Sequence, residues 1–96
     1  MIEVEEKLIP SHRSQIDIIA EVLRETAGGA KKTQIMYSCN LSFRQLQIYL
    51  NLLLDRGLLR KVSEKEEGRD PRLFKITSKG QNLIRAYDRL KALMTA

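Results

Sequence analysis

Apolar positions recur at three- and four-residue spacing in three stretches of this 96-residue chain and alternate in two others. The best-signed helical stretch is Ser42 to Gly57, SFRQLQIYLNLLLDRG. Leu46, Tyr49, Leu50 and Leu53 make one apolar face. Ser42 is placed to cap the N-terminus, with Gln45 three residues later as a capping box requires. Gly57 stands where a left-handed residue ends a helix. Upstream, Ser11 or Ser14 can cap a helix whose stripe is Ile16, Ile19, Ala20 and Leu23, widened by Ile18 and Val22. Gly28-Gly29 ends it, and Ala30 can form a strand of one or two residues. A short helix follows, from Lys31 or Lys32 to Ser38, with Ile35 and Met36 toward the core. Cys39-Asn40-Leu41 makes the turn into the Ser42 helix, where Asn40 tolerates the backbone a tight turn needs.

After Gly57 the period changes to two. Residues 59–63 and 72–76 read as strands, and the charged, Gly- and Pro-containing segment 64–71 reads as an exposed hairpin tip. A last helix starts at Thr77 or Ser78, with Gly80 an awkward but tolerable residue in its first turn. Leu83, Tyr87, Leu90 and Met94 are spaced four, three and four, the alternation of a heptad seam, with Ile84, Ala86 and Leu93 beside it. Met1 to Pro10, where Ile2 and Val4 alternate with Glu3 and Glu5, reads as an extension. The fold class is therefore mainly α with a small β hairpin (α+β). Two helices joined by a three-residue turn and followed by a charged hairpin predict a winged helix-turn-helix. The expected boundaries are 1–13 for the extension, 14–77 for the winged domain and 78–96 for a C-terminal dimerisation helix.

Composition adds a partner class. The net charge is +5 and the sequence pI about 9.6, a balance that suits a polyanion. Residues 1–30 carry a net −3, whereas 31–57, 58–77 and 78–96 carry +3, +2 and +3, so the positive excess begins just before the Ser42 helix. The single cysteine, Cys39, excludes an intramolecular disulfide and fits a reducing compartment. No apolar run is long enough to span a membrane, and the acidic start lacks a signal-peptide pattern, so a cytoplasmic protein is expected.

The run GGAKKTQIMYSCNLSFRQLQIYLNLLLDRGLL, Gly28 to Leu59, resembles the archaeal winged-helix regulators. It is most similar to the small ten-kilodalton "ten-a" DNA-binding proteins of thermophilic archaea. LFKITSKGQNLI, Leu73 to Ile84, resembles the end of the wing and the start of the last helix in that group. The resemblance covers most of Ser14 to Met94 and leaves Met1 to Pro10 outside it. It implies a winged helix whose C-terminal helix pairs with a second copy in an antiparallel coiled coil. It further implies a DNA-binding homodimer, chromatin-associated or regulatory, and hence a nucleoid-associated location. The heptad seam runs for only about two and a half heptads, which is marginal for a helix pair.

In a helix-turn-helix the second helix enters the major groove. Here Arg44, Gln45, Gln47 and Asn51 form the candidate groove-facing set, with Ser42 at the helix start. Arg, Gln and Asn make paired hydrogen bonds to guanine and adenine edges, although any soluble helix has a polar outer face. Ile48 lies among them with no core to enter, and is either a thymine-methyl contact or an inconsequential exposed residue. Lys31 and Lys32 are phosphate candidates at the start of the short helix, or ordinary surface lysines. In the wing Arg69 and Arg72, and less strongly Lys65, can reach DNA, but Glu64, Glu66, Glu67 and Asp70 oppose them. Leu83, Tyr87, Leu90 and Met94 are core or dimer interface. His12 and Cys39 form no metal-ligand pattern, and Cys39 has no nameable base, so it reads as a packed turn residue. No cofactor or enzyme motif is found. Double-stranded DNA and a second copy of the chain are the expected partners. The alternative is a winged-helix protein-interaction module that does not bind DNA.

Overall fold

The computed structural model describes residues 13–62 and 73–95. Residues 1–12 of the expected extension, with the Ser11 cap and His12, and the wing-tip residues Lys65, Arg69 and Arg72 lie outside them. The elements are α1 (Gln15–Glu25), α2 (Lys32–Ser38), α3 (Phe43–Asp55), β1 (Leu59–Lys61), β2 (Phe74–Ile76) and α4 (Ser78–Thr95). This is the winged helix-turn-helix order, with one long helix after the hairpin.

Local chemistry fixes the helix ends. Ser14 caps α1: its hydroxyl accepts from the Asp17 N–H at 3.2 Å, and the Asp17 carboxylate accepts from the Ser14 N–H at 3.1 Å. The stripe expected for α1 is rotated. Ile18, Ala20, Val22 and Leu23 are buried, while Ile16 is 44% exposed and Ile19 half-buried. α1 packs against α2, α4 and β2 at once, so its buried arc exceeds one stripe, and Ile16, in the first turn, falls outside it. At seven residues α2 is too short to hold itself. Ile35, fully buried, pins it to the core.

β1 and β2 pair antiparallel, with Leu59 opposite Ile76 and Lys61 opposite Phe74. The expected strand ends at Ser63 and Arg72 lie outside the described residues. Ala30 adds a bridge to Phe74 through N–H···O bonds of 2.9 and 2.8 Å, so the Gly-Gly turn feeds a third line of the sheet. Thr26, fully buried, welds α1 to that sheet. Its carbonyl accepts from the Ile76 N–H at 3.1 Å, and its hydroxyl lies 3.0 Å from the carbonyls of Val22 and Leu23. A buried polar residue is thereby satisfied, as burial requires. The core joins Leu23, Ile35, Leu46, Leu50 and Leu53 to Phe74 and Ile76 of the hairpin.

α3 ends as its sequence predicts. Gly57 has φ +72°, the Leu58 N–H bonds the Leu53 carbonyl at 2.9 Å, and the Gly57 N–H bonds that of Leu54 at 3.1 Å. The next carbonyls are taken up by α4. The Thr77 N–H donates to Leu58 O at 3.1 Å, the Thr77 hydroxyl to Gly57 O at 2.7 Å, and Lys79 Nζ to Arg56 O at 2.7 Å. Gly80 is not merely tolerated in this joint. A Cβ there would lie 2.4 Å from the Leu58 carbonyl oxygen and 2.7 Å from Ile76 Cγ1.

α4 is held to α1 by side chains. The Tyr87 hydroxyl donates to the Asp17 carboxylate, and Arg24 pairs with Asp88. Leu83 and Ile84 pack on the core. Beyond Asp88 every described residue of α4 is exposed. That leaves roughly 10 Å of helix uncovered at about 1.5 Å per residue.

Two outcomes are expected. Gly80→Ala should destabilise the fold by roughly 1–3 kcal/mol in denaturant unfolding, because overpacking against backbone outweighs alanine's helix preference of about 1 kcal/mol. A stabilised variant would disprove the close approach. The second concerns acid. The Tyr87 hydroxyl first, then the Ser14 hydroxyl and N–H, hold the Asp17 carboxyl at about 2, below its ordinary 3.8. The folded value is the lower one, so this contact stabilises the fold above pH 3.8 and its contribution is lost as pH falls toward 2. Tyr87→Phe should therefore shift acid unfolding, followed by circular dichroism, to higher pH; an unmoved midpoint would discount the tie.

Candidate nucleic-acid interface

The outer face of α3 is displayed because both helix ends and the preceding turn are fixed. The Ser42 hydroxyl accepts from the Gln45 N–H at 3.1 Å, and Gln45 Oε1 accepts from the Ser42 N–H at 2.9 Å. The capping box forms as the spacing predicts, and two candidate contact residues, Ser42 and Gln45, thereby have their oxygens engaged at the helix start. The turn before it closes on Asn40, whose φ is +55°. The Leu41 N–H bonds the Met36 carbonyl at 2.9 Å and the Asn40 N–H that of Tyr37 at 3.3 Å. Asparagine supplies the left-handed residue that glycine supplies after α3.

Arg13 locks this turn from outside. Its guanidinium donates to the carbonyls of Cys39 at 2.7 Å and Asn40 at 3.2 Å, and to Glu21 at 2.6 Å. No sequence signal announced Arg13, since its targets lie 26 and 27 residues away. Gln34 donates to Glu25 at 3.0 Å and ties α2 to α1. Cys39 is buried in the turn, and burial, with Glu21 and Glu25 nearby, pushes its thiol up to about 11. A thiol so rarely ionised is a packing group. Among the described residues no cluster of three His, Cys, Asp or Glu side chains could hold a metal ion.

With Leu46, Tyr49, Leu50 and Leu53 buried, the stripe facing away from the core is Arg44, Ile48, Asn51 and Asp55, all exposed. Ile48 is 57% exposed and has no core to enter. Arg44 and Asn51 make no hydrogen bond or ion pair among the described residues. Gln47, placed in the same set by sequence, sits apart. It is half-buried and lines a cleft of about 180 Å³ between α3, the start of α2 and the hairpin. Lys32, Asn51 and Lys61 share the cleft with it, around the apolar surfaces of Leu50, Leu54 and Phe74. Gln47 Oε1 is buried without a hydrogen-bond partner. Lys31 and Lys32 are both exposed.

Sequence reasoning overlooked two aromatics. Tyr37 is 79% exposed on α2, and Phe43 is 64% exposed at the first position of α3. Tyr37 lies off the face set by Ile35 and Met36, a signal available in the spacing. Phe43 looks apolar-facing by its three-residue offset from Leu46, but the first turn stands clear of the core. Lys61, at the end of β1, was also missed. Of the seam residues, Leu83 packs on the core and Tyr87 binds Asp17, with Lys91 Nζ 5.5 Å from its ring centroid. Leu90 and Met94 are 59% and 77% exposed, and Leu93 is 71% exposed beside them. No described helix is long and apolar enough to cross a membrane.

Comparison with known proteins agrees with this architecture. The uncharacterized protein MJ0287 of Methanocaldococcus jannaschii is 32% identical over 85 residues, covering 88% of this chain and 79% of that protein. MJ0290 of the same organism is 30% identical over 83 residues, 85% of this chain, and the chain spans only 36% of its length. The crystal structure of Sso10a-2, a DNA-binding protein from Sulfolobus solfataricus, superposes with a TM-score of 0.72 at 22% identity, over 85% of this chain and 82% of that one. The transcriptional repressor CouR, solved with p-coumaroyl-CoA, gives 0.57 at 19% identity, over 95% of this chain and 68% of that one. At these identities both structural likenesses are likenesses of fold. A family model described as winged helix-turn-helix matches residues 12–95, and with that match over most of its length the chain belongs to the winged helix-turn-helix family.

Proposed function

We propose that this protein binds double-stranded DNA as a homodimer, α3 lying in the major groove, and acts as a transcription regulator or an architectural component of chromatin. The observation that carries the reading is the outward stripe of α3. Arg44, Ile48 and Asn51 stand exposed on a helix whose start, end and preceding turn are all locked. Arg44 offers the paired donors suited to guanine, Asn51 the donor and acceptor suited to adenine, and Ile48 an apolar surface for a thymine methyl. The net charge of +5 favours a polyanion. Membership of the winged helix-turn-helix family and the fold shared with a DNA-binding protein support the same reading.

The projecting end of α4 supports a dimer. Leu90, Leu93 and Met94 leave an apolar strip on a helix end that no other described residue covers. Burial against a second copy would remove that strip from water, and α4 would then set the distance between the two α3 helices. A second reading has its own observation. Exposed Tyr37 and Phe43 are residues of the kind that anchor protein interfaces, and an interaction module would use them without touching DNA.

Fluorescence anisotropy on a random duplex over a salt series separates the readings. A steep fall in affinity with salt is expected, because released counterions drive such binding. Arg44→Ala should weaken it roughly tenfold or more. Unchanged affinity in that variant would remove α3 from the interface, and no binding by the wild type at low salt would favour the interaction module. For the dimer, sedimentation equilibrium should show Leu90→Lys shifted to monomer with its helical circular dichroism intact. A wild type that stays monomeric at tens of micromolar protein would refute dimerisation through α4.

A further inference from the structure

The cleft beside α3 has a chemistry unlike the open stripe. Among the described residues that line it, every polar side chain is a donor or can act as one. Lys32 enters from α2 and Lys61 from the end of β1, so two cations from separate elements line the cleft. Among the described residues neither has an ion-pair partner, unlike Arg24 with Asp88 or Arg13 with Glu21. Gln47 lines the same cleft. Its amide oxygen is the buried end and lacks a partner, which leaves the NH₂ end as the accessible one. Asn51 adds a second amide at the rim. The one acid of α3, Asp55, is in its last turn and is not part of the cleft wall. Two unpaired ammonium groups around an outward amide donor are the complement of a tetrahedral anion.

We infer that the cleft seats one backbone phosphate of the bound duplex, gripped by Lys32 and Lys61 with the Gln47 amide donating from beneath. The inference rests on the duplex-binding reading and deepens it. It moves Gln47 from the base-reading set to the group that positions α3. A phosphate held at the flank of the helix fixes its depth and rotation in the groove, while Arg44, Ile48 and Asn51 face the bases. Contacts of the first kind set register, and those of the second kind read sequence. The buried, unpartnered oxygen of Gln47 has a rationale in this arrangement: the conformer that strands the acceptor keeps the donor aimed at the phosphate.

The test is a salt series on the full chain with Lys61→Gln, Lys32→Gln, the double variant and Gln47→Ala. Arg85→Gln, on the outer surface of α4, serves as a control for net charge. All of these positions are exposed or half-buried, and retained circular dichroism would confirm the fold. Each neutralised phosphate contributes about 0.9 to the slope of log affinity against log salt. Lys61→Gln should lower that slope by up to about 0.9, and the double variant by no more than about 0.9, because both lysines serve one phosphate. Gln47→Ala should weaken binding equally across duplexes that differ at single base pairs. Full binding by the wild type with the slope unchanged in Lys61→Gln would overturn the seat and leave duplex binding intact. So would a double variant that loses two phosphates' worth of slope, or a Gln47→Ala whose loss depends on one base pair. A wild type that binds no duplex would overturn the seat together with the reading beneath it.

Discussion

The carbonyl groups just past the end of α3 find their partners at the start of α4. Three successive carbonyls, of Arg56, Gly57 and Leu58, accept from Lys79 and from the hydroxyl and N–H of Thr77. Here they fasten α3 to the helix that projects from the domain. Thr77 serves both elements, since its hydroxyl also accepts from the Gly80 N–H at 3.1 Å, closing the N-terminal turn of α4. The missing side chain of Gly80 lets the two backbones meet. The end of α3 and the start of α4 are therefore joined by backbone and side-chain hydrogen bonds.

Around that joint the protein uses polar groups to fix directions and apolar groups to supply cohesion. The core leucines of α3 would tolerate some rotation of the helix. The capping box at Ser42, the left-handed residues at Asn40 and Gly57, and the Arg13 clamp on the turn would not. The same division holds for α4. Leu83 and Ile84 provide contact, while Tyr87 with Asp17 and Arg24 with Asp88 select its angle across α1. On the proposed reading, a surface that must match a rigid double helix benefits from this arrangement, because geometry is set before binding.

How much of this was legible in the sequence follows from the range of each interaction. The caps of α1 and α3, the glycine ending α3, the left-handed asparagine and the apolar face of α3 are local, and their spacings declared them. The strand at Ala30 was legible because two glycines precede it. What escaped reading depends on residues far apart in the chain. Gly80 looked like a weak helix residue until Leu58 and Ile76 were brought against it. Arg13 is an ordinary basic residue until the α2–α3 turn arrives 26 residues later. The seam of α4 was a correct period with mixed destinations, since Leu83 and Tyr87 face their own chain while Leu90 and Met94 extend past it. Gln47 was grouped with the outer face of α3, and only the arrival of the hairpin reveals that it lines a cleft.

The shortness of α2 has a consequence for the order of folding. Seven residues cannot repay the cost of nucleating a helix in isolation. Its supports come from other elements: Ile35 from the common core, Gln34 from Glu25 on α1, and its closing turn from Arg13. α1 and α3 each carry a capping box and an amphipathic face, and so can begin to form on local information. α2 must crystallise between them, late, once their docking has prepared its place. The first helix of the helix-turn-helix thus draws its stability from the assembly around it.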